Sequence, residues 1–529
     1  MRNPPALHAA FPGVVLSLLL AGCGSPSPDR GERIEQLRSD AEALTRRQML
    51  MGFESWAHGR PSNQDSLYRA FPGLFTVESI ALVREEEGAE RDSVQRRRLL
   101  WFRRYLTSEL IALESAALAD RAANVEAAAA VDLGGERIPY RELAGRLAND
   151  PDAVSRARLF AAADPVLDSL SVLLGEAMRK RWALAAGLGY DSYEALAGDL
   201  RGFSLEETAR MASSLLEQTD GLYDTLLTEA LQRVPGLAGL PFRRSDAASL
   251  HRLSRFDASF PADGLLPAAH RLCRDLGINP DSLGNLSFDI EPREGKNPRA
   301  VCFPVDVPGD VRLSVKPTGG AGDFGSLLHE LGHGLHFALT EERSFEFRVL
   351  GDATVTEAYA FLCQNLLSNP AYLRTRTAMS PSTLSSFLRA MILQRLGMAR
   401  RYAAKVLFER ALHAGHPAAD SLYAALTARA SGYAQSPSDR KRFLTDTDDL
   451  FYSAVYLRAW LLEARLAAHL ERDFGSNWFE NPAAGSFLRS LWRNGGKPTA
   501  DDIARLAGGT ASPEDLLRTL RGLLVYSGP

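Results

Sequence analysis

The sequence predicts a large, mainly α-helical protein with one small β-sheet. Three observations predict it. From Arg30 to about Leu250 apolar residues recur at helical spacing, as in Ile34 to Leu44 and Gln95 to Leu106. Short alternating runs bounded by turn residues are convincing only between Leu286 and Lys316. The third is Phe324 to His336, which carries His329-Glu330-x-x-His333 among apolar residues spaced for a helix: Leu327, Leu328, Leu331, Leu335 and Phe337.

Taken in order, the chain opens with Arg2, a short apolar run and the small residues Ala21 and Gly22. The apolar run is too short to span a bilayer as a helix, and residues 1–22 have the form of a cleaved export signal. Leu20-Ala21-Gly22-Cys23 resembles a bacterial lipobox. That resemblance implies a lipidated Cys23 as mature N-terminus, a tether over 23–30, and a membrane-anchored, periplasm-facing protein of the bacterial envelope. Residues 31–529 remain, enough for one large domain in two lobes, an N-terminal one of about 31–280 and a second of about 281–529.

Net charge is −4 and the pI about 6.3, so no basic field points to nucleic acid. Apart from Cys23 the cysteines are Cys273, Cys302 and Cys363, too widely spaced for a disulfide framework and expected as small buried residues, although one bridge can form in an oxidising periplasm. The cluster Arg96, Arg97, Arg98, Arg103 and Arg104 is expected on a solvated helix face. Gly134 to Tyr140 predicts a turn or short hairpin. Around Leu188 to Leu196, Gly189 is expected to end one helix and Ser192 to cap the next, with Tyr190 and Tyr193 packed at the junction.

The β region reads as three strands, Leu286 to Ile290, Ala300 to Val307 and Asp310 to Lys316, followed by Asp323 as the expected cap of the histidine helix. On that helix His329 and His333 lie one turn apart on one face and can grip a single zinc ion. Glu330 projects beside them as a general base toward a water on the metal. A catalytic zinc needs a third protein ligand. A third histidine six residues beyond the second is absent, since position 339 is Leu339. The downstream acids are Glu341, Glu342, Glu346, Asp352 and Glu357; the first two are too close in sequence to fold back onto the same metal, and Glu346 sits in a run alternating like a strand or loop. Glu357 opens an apolar helical segment, Thr356 to Leu367, where a buried acid is otherwise costly. Glu357 is therefore the expected third ligand.

His329-Glu330-Leu331-Gly332-His333-Gly334-Leu335-His336 with Glu357 downstream resembles the thimet oligopeptidase family, with the angiotensin-converting-enzyme family close in pattern. The likeness is densest from about Ala300 to Leu470. It implies a two-lobed helical zincin with a deep channel for short peptides and one zinc ion per chain. It implies that the edge of a strand beside the metal helix binds the substrate backbone, which places Val311, Leu313 and Val315 as substrate-binding residues. It also implies a tyrosine helix, with Tyr456 as donor to the developing oxyanion and Tyr452 as second candidate. Against that pattern, no histidine precedes the tyrosine pair, where Thr447 and Asp448 stand; a buried acid there would repel a substrate C-terminal carboxylate. Phe361 replaces an acid expected four residues after the third ligand, so the hydrogen bond that orients a ligand histidine is expected from Asp352.

The expected function is hydrolysis of oligopeptides by a monomeric zinc metallopeptidase. Two alternatives stand beside it: a catalytically inactive envelope-binding lipoprotein, whose signature would be a lost ligand or base, and a zinc hydrolase of a non-peptide amide.

Overall fold

The computed structural model describes residues 29–61, 63–234 and 236–527. The signal segment and Cys23 lie outside the described residues, and of the tether only Asp29 and Arg30 lie inside, where Asp29 caps the helix Arg30–His58. Helix makes up 72% of the structure and strand 5%, so the core is built almost wholly between helix faces. Among the described residues no helix is long and apolar enough to cross a membrane.

Long helices dominate the first half: Arg30–His58, Ser93–Ala128, Asp164–Gly187 and Leu205–Arg233. The expected solvated arginine face on the second of these is corrected. Arg103 is buried and bonds Glu87 at 2.7 Å and Asp199 at 2.9 Å, Arg104 pairs with Asp199 at 3.3 Å, and Arg98 reaches Glu346 at 3.1 Å. The helix is enclosed by neighbours, so several of its charges turn inward and need partners. Glu346 belongs to a short helix, Phe345–Val349, rather than a strand or loop. It is fully buried between Arg38 and Arg98, which removes it from any metal.

Two strands, β1 Ala130–Leu133 and β2 Glu136–Pro139, form the short hairpin, with Gly134 and Gly135 at φ 63° and 87° supplying the two-residue turn. Ser192 caps the helix Tyr193–Arg201 as expected, and Gly189 turns at φ 84°.

The second sheet holds β3 Leu286–Asp289, β4 Val301–Asp306 and β5 Asp310–Ser314 in the order β3-β5-β4. β3 runs parallel and β4 antiparallel to β5. β5 is thus the central strand, and the expectation that Val311, Leu313 and Val315 bind substrate along a free edge is overturned. Both edges of β5 are paired, and the three side chains are 0%, 0% and 3% exposed in the core. The edge next to the histidine helix belongs to β4.

The histidine helix, Ala321–Ala338, starts after Gly320. Asp323 sits in its first turn rather than before it, and its carboxylate accepts the N–H groups of Thr318 and Gly319, tying down the preceding loop. Leu327, Leu328, Leu331 and Leu335 enter the core as their spacing predicts. Two glycines let neighbours come close. A Cβ on Gly334 would stand 3.1 Å from Leu286 and 3.2 Å from Leu313 of the sheet. One on Gly332 would stand 2.5 Å from the Tyr359 carbonyl oxygen and 2.6 Å from Ala360 Cα, on the helix Ala353–Gln364.

A further helix, Tyr452–Phe474, completes the site region. Leu450 and Phe451 before it are left-handed, at φ 49° and 53°, a conformation costing about 1–3 kcal/mol per residue. Arg201 holds this bend by donating to the carbonyls of Leu450 (2.8 Å) and Asp449 (3.0 Å), and the Tyr193 hydroxyl accepts the Leu450 N–H at 3.1 Å.

Alanine ordinarily stabilises a helix interior relative to glycine. Gly332→Ala is expected to reverse that sign, lowering stability by about 1–3 kcal/mol because backbone stands where the methyl must go. Gly322→Ala, on the same helix with nothing within 4 Å of its Cβ, is the control and should not destabilise. Denaturant unfolding of the two variants measures both.

Candidate metal centre

The close approach at Gly332 brings the Glu357 carboxylate over the two histidines. His329 and His333 stand one turn apart, rings 4.9 Å apart and nearly perpendicular. Glu357 Oε2 lies 3.5 Å from His329 Nε2 and 3.7 Å from His333 Nε2. All three candidate ligand atoms fall within 4.8 Å of one another, and this is the only such group among the described residues. Ligand bonds of 2.0–2.2 Å in a tetrahedron put ligand atoms roughly 3.3–3.6 Å apart, so these spacings suit zinc.

The chemistry of the donors supports the same fit. Glu357 is 5% exposed, its Oε1 accepts the Tyr452 hydroxyl at 2.8 Å, and its Oε2 has no hydrogen-bond partner although it is buried. A buried carboxylate oxygen aimed at two imidazole nitrogens is accounted for by a cation between them. His329 Nδ1 lies 2.9 Å from the Gln364 side-chain oxygen, and His333 Nδ1 lies 2.8 Å from Thr356 Oγ. Gln364 accepts through its carbonyl, so Nδ1 carries the proton on His329 and the Nε2 lone pair faces the centre. The same tautomer on His333 is satisfied by Thr356 as acceptor.

Electrostatics follow from burial. Desolvation pushes His333 down to about 3, which keeps it neutral. Desolvation also opposes charge on His329, but the attraction of the Glu357 carboxylate beside it outweighs this and raises its pKa. Burial would raise Glu357, yet the two histidines and the Tyr452 hydroxyl hold it below the ordinary carboxylate value. Glu330 is raised, chiefly by burial, as suits a group that takes up a proton. Its Oε2 accepts the Cys302 N–H of β4 at 2.7 Å, which puts the outer edge of β4 beside the base.

The expected hydrogen bond from Asp352 to a histidine is not found. Asp352 caps the Glu357 helix through Thr354 N–H and accepts the Ala500 N–H, because it sits at the helix end facing away from the histidines. Thr356 and Gln364 take that role instead. Gln364 lies two turns beyond Glu357 on the same face, a spacing that could have flagged it. Phe361, in place of the expected acid, packs edge-on against His329 at 5.1 Å.

Tyr456 and Tyr452 diverge. The Tyr452 hydroxyl is committed to Glu357. The Tyr456 hydroxyl makes no hydrogen bond among the described residues, and its ring stacks on Tyr402 at 4.7 Å. Tyr456 lines two cavities, one of about 540 Å³ shared with His329, Glu330 and Tyr402, the other of about 830 Å³ shared with Tyr452, Thr447 and Asp448. Asp448 pairs with Lys405 at 2.8 Å, which neutralises the repulsion expected of an acid there. Cys273, Cys302 and Cys363 are free thiols, and burial raises all three.

A scan of protein-family models finds no match to this chain, and a search of curated proteins finds none either.

Thr356→Val and Gln364→Leu are each expected to weaken zinc binding by roughly 10- to 100-fold, since each frees a ligand imidazole to turn. Chelator competition measures this, and an unchanged affinity in both would remove zinc from the assignment.

Proposed function

We propose that this protein is a zinc-dependent peptidase acting on short peptides. One observation carries the reading: a cluster of half-buried His329 and His333 with buried Glu357, with Glu330 on one side and an unpartnered Tyr456 hydroxyl lining the same cavity as His329 and Glu330. Bound there, zinc supplies a Lewis acid that polarises a peptide carbonyl and acidifies water.

The chain's own groups do the rest. Glu330 takes a proton from the attacking water and returns it to the leaving amine, a task its burial-raised pKa suits. Tyr456 donates its O–H to the carbonyl oxygen as that oxygen becomes negative. Gln364, Thr356 and Tyr452 keep the three ligands oriented. Peptide backbone aligns on the segment entering β4, where Ala300 lines the cavity, in place of the central β5. The two cavities meeting at Tyr456 supply room on either side of the scissile bond, which in this reading form the channel of a two-lobed zincin. The oligopeptidase resemblance supports this reading and rests on the residues quoted for it. In the same reading Cys23 anchors the enzyme to the bacterial envelope. Retention of all three ligands and the base favours catalysis over a binding role.

Wild type and Glu330→Gln are both expected to bind one zinc, while cleavage of an internally quenched peptide library falls by about 10²- to 10⁴-fold in the variant. Cleavage untouched by Glu330→Gln, or protein without zinc, would sink the proposal. Tyr456→Phe should lower kcat by about 10²- to 10³-fold with KM little changed, as loss of an interaction made only in the transition state requires.

A further inference from the structure

Pro298 and Arg299 line the cavity of about 540 Å³ together with His329, Glu330 and Ala300. The same two residues line a neighbouring cavity under the hairpin β1–β2 and the helices Leu143–Asn149 and Ala153–Ala162. Arg299 therefore stands where the two cavities join.

Its backbone is fixed and its side chain is free. The Arg299 N–H donates to Asn297 Oδ1 at 3.0 Å and its carbonyl accepts the Trp56 indole N–H at 2.8 Å, while the Asn297 N–H donates to the Trp56 carbonyl at 2.8 Å. The segment is thus held on the helix Arg30–His58. Arg299 is exposed, and among the described residues its guanidinium has neither a hydrogen bond nor an ion pair. The other arginines of the two walls are paired. Arg252 holds Asp257 at 2.8 Å, Arg146 holds Glu136 at 2.8 Å, and Arg141 stands 3.9 Å from Glu126. The acids of the walls are occupied as well: Glu136 and Glu142 face Arg146, Asp150 accepts the Asp152 N–H, Asp323 the N–H groups of Thr318 and Gly319, and Glu330 the Cys302 N–H. A guanidinium keeps its charge at any working pH, and its planar fork matches a carboxylate.

The strand sets the distance. The Cys302 N–H meets Glu330 on the outer edge of β4. Ala300, two residues earlier, turns its N–H and carbonyl to the same side, where they have no hydrogen-bond partner among the described residues. A peptide paired there passes Arg299 three residues from the point opposite the base, about 10 Å at strand spacing. We propose that Arg299 selects an acidic side chain in the peptide substrate about three residues from the scissile bond. This rests on the peptidase reading above. The carboxylate selected is that of an internal aspartate or glutamate, so neither end of the peptide is needed for it.

The test uses the full-length, zinc-loaded protein and alanine nonapeptides capped at both ends, each carrying one glutamate, glutamine or lysine stepped along the chain. Mass spectrometry of the products places that residue relative to the cleaved bond. With glutamate about three residues from the bond, kcat/KM should exceed that of the glutamine peptide about three- to tenfold, the scale of a partly exposed bidentate pair. Arg299→Gln should bring the ratio to about one. Arg299→Glu should invert the order, so that the lysine peptide is cleaved faster than the glutamate peptide. A ratio between peptides does not depend on how much of a variant is active, and a merely structural role for Arg299 would not reverse it.

A flat ratio in wild type, the same preference wherever glutamate stands, a ratio left whole by Arg299→Gln, or no inversion by Arg299→Glu overturns the proposal. Failure of the peptidase reading shows separately. Isothermal titration of the same peptides into zinc-loaded Glu330→Gln protein, with and without the Arg299 substitutions, reads the preference without cleavage. Wild type that cleaves all the peptides equally keeps the peptidase and loses the selection by Arg299. An Arg299-dependent glutamate preference in binding, without cleavage by wild type, does the reverse, and peptides neither bound nor cleaved overturn both.

Discussion

A carboxylate buried between two helices is the constraint from which the site region follows. Glu357 is taken out of water on a helix of apolar residues, and an uncompensated charge there would be expensive. Its compensation comes from outside its own helix. Two imidazoles reach it from the histidine helix and one phenol from the tyrosine helix. The first contact requires the helices to touch backbone to backbone, which is why position 332 is glycine. The second requires Tyr452 to begin its helix at a fixed height, which is what the left-handed Leu450 and Phe451 accomplish.

That bend links the two halves of the chain. Its carbonyls are held by Arg201 and its Leu450 N–H by Tyr193, both from the N-terminal half, while Tyr452 directly after it supports Glu357 in the C-terminal half. Strain of this kind persists only where surroundings over-determine it. Here three hydrogen bonds do so. Displacement of the helix Tyr193–Arg201 would therefore be felt at Glu357 through a chain of direct contacts.

What was legible in the sequence was local. Helical spacing and the cost of a buried acid suffice to pick His329, Glu330, His333 and Glu357, because each depends on its immediate neighbours. Strand order was not legible. Alternation along Val311 to Val315 reveals a buried face, but two-sided pairing of β5 is decided by partners that alternation does not name. Partnership across long separations was hidden for the same reason. Arg103 looks like any surface arginine until Asp199 is folded against it, and Glu346 looks solvent-facing until Arg38 and Arg98 enclose it. Thr356 and Gln364 are ordinary polar residues in sequence, and only the rotation of the Glu357 helix aims them at the imidazoles.

The absence of a histidine before the tyrosine pair also acquires a physical account. The acids that stand there are structural. Asp446 gathers Arg244, Arg401 and the Tyr423 hydroxyl, Asp448 takes Lys405, and the buried Glu409 accepts both the Asp448 N–H and the Ser453 hydroxyl. Burial raises Glu409, against which the Lys405 charge and these two hydrogen bonds act. A segment pinned from so many sides fixes the tyrosine helix. The walls left open on this side of the cluster come from other elements. In the larger cavity those walls include Tyr193 and Arg201, from the same helix that secures the bend. The placing of Tyr452 against Glu357 and the shape of that cavity thus depend on one short helix, so a change there would alter both together.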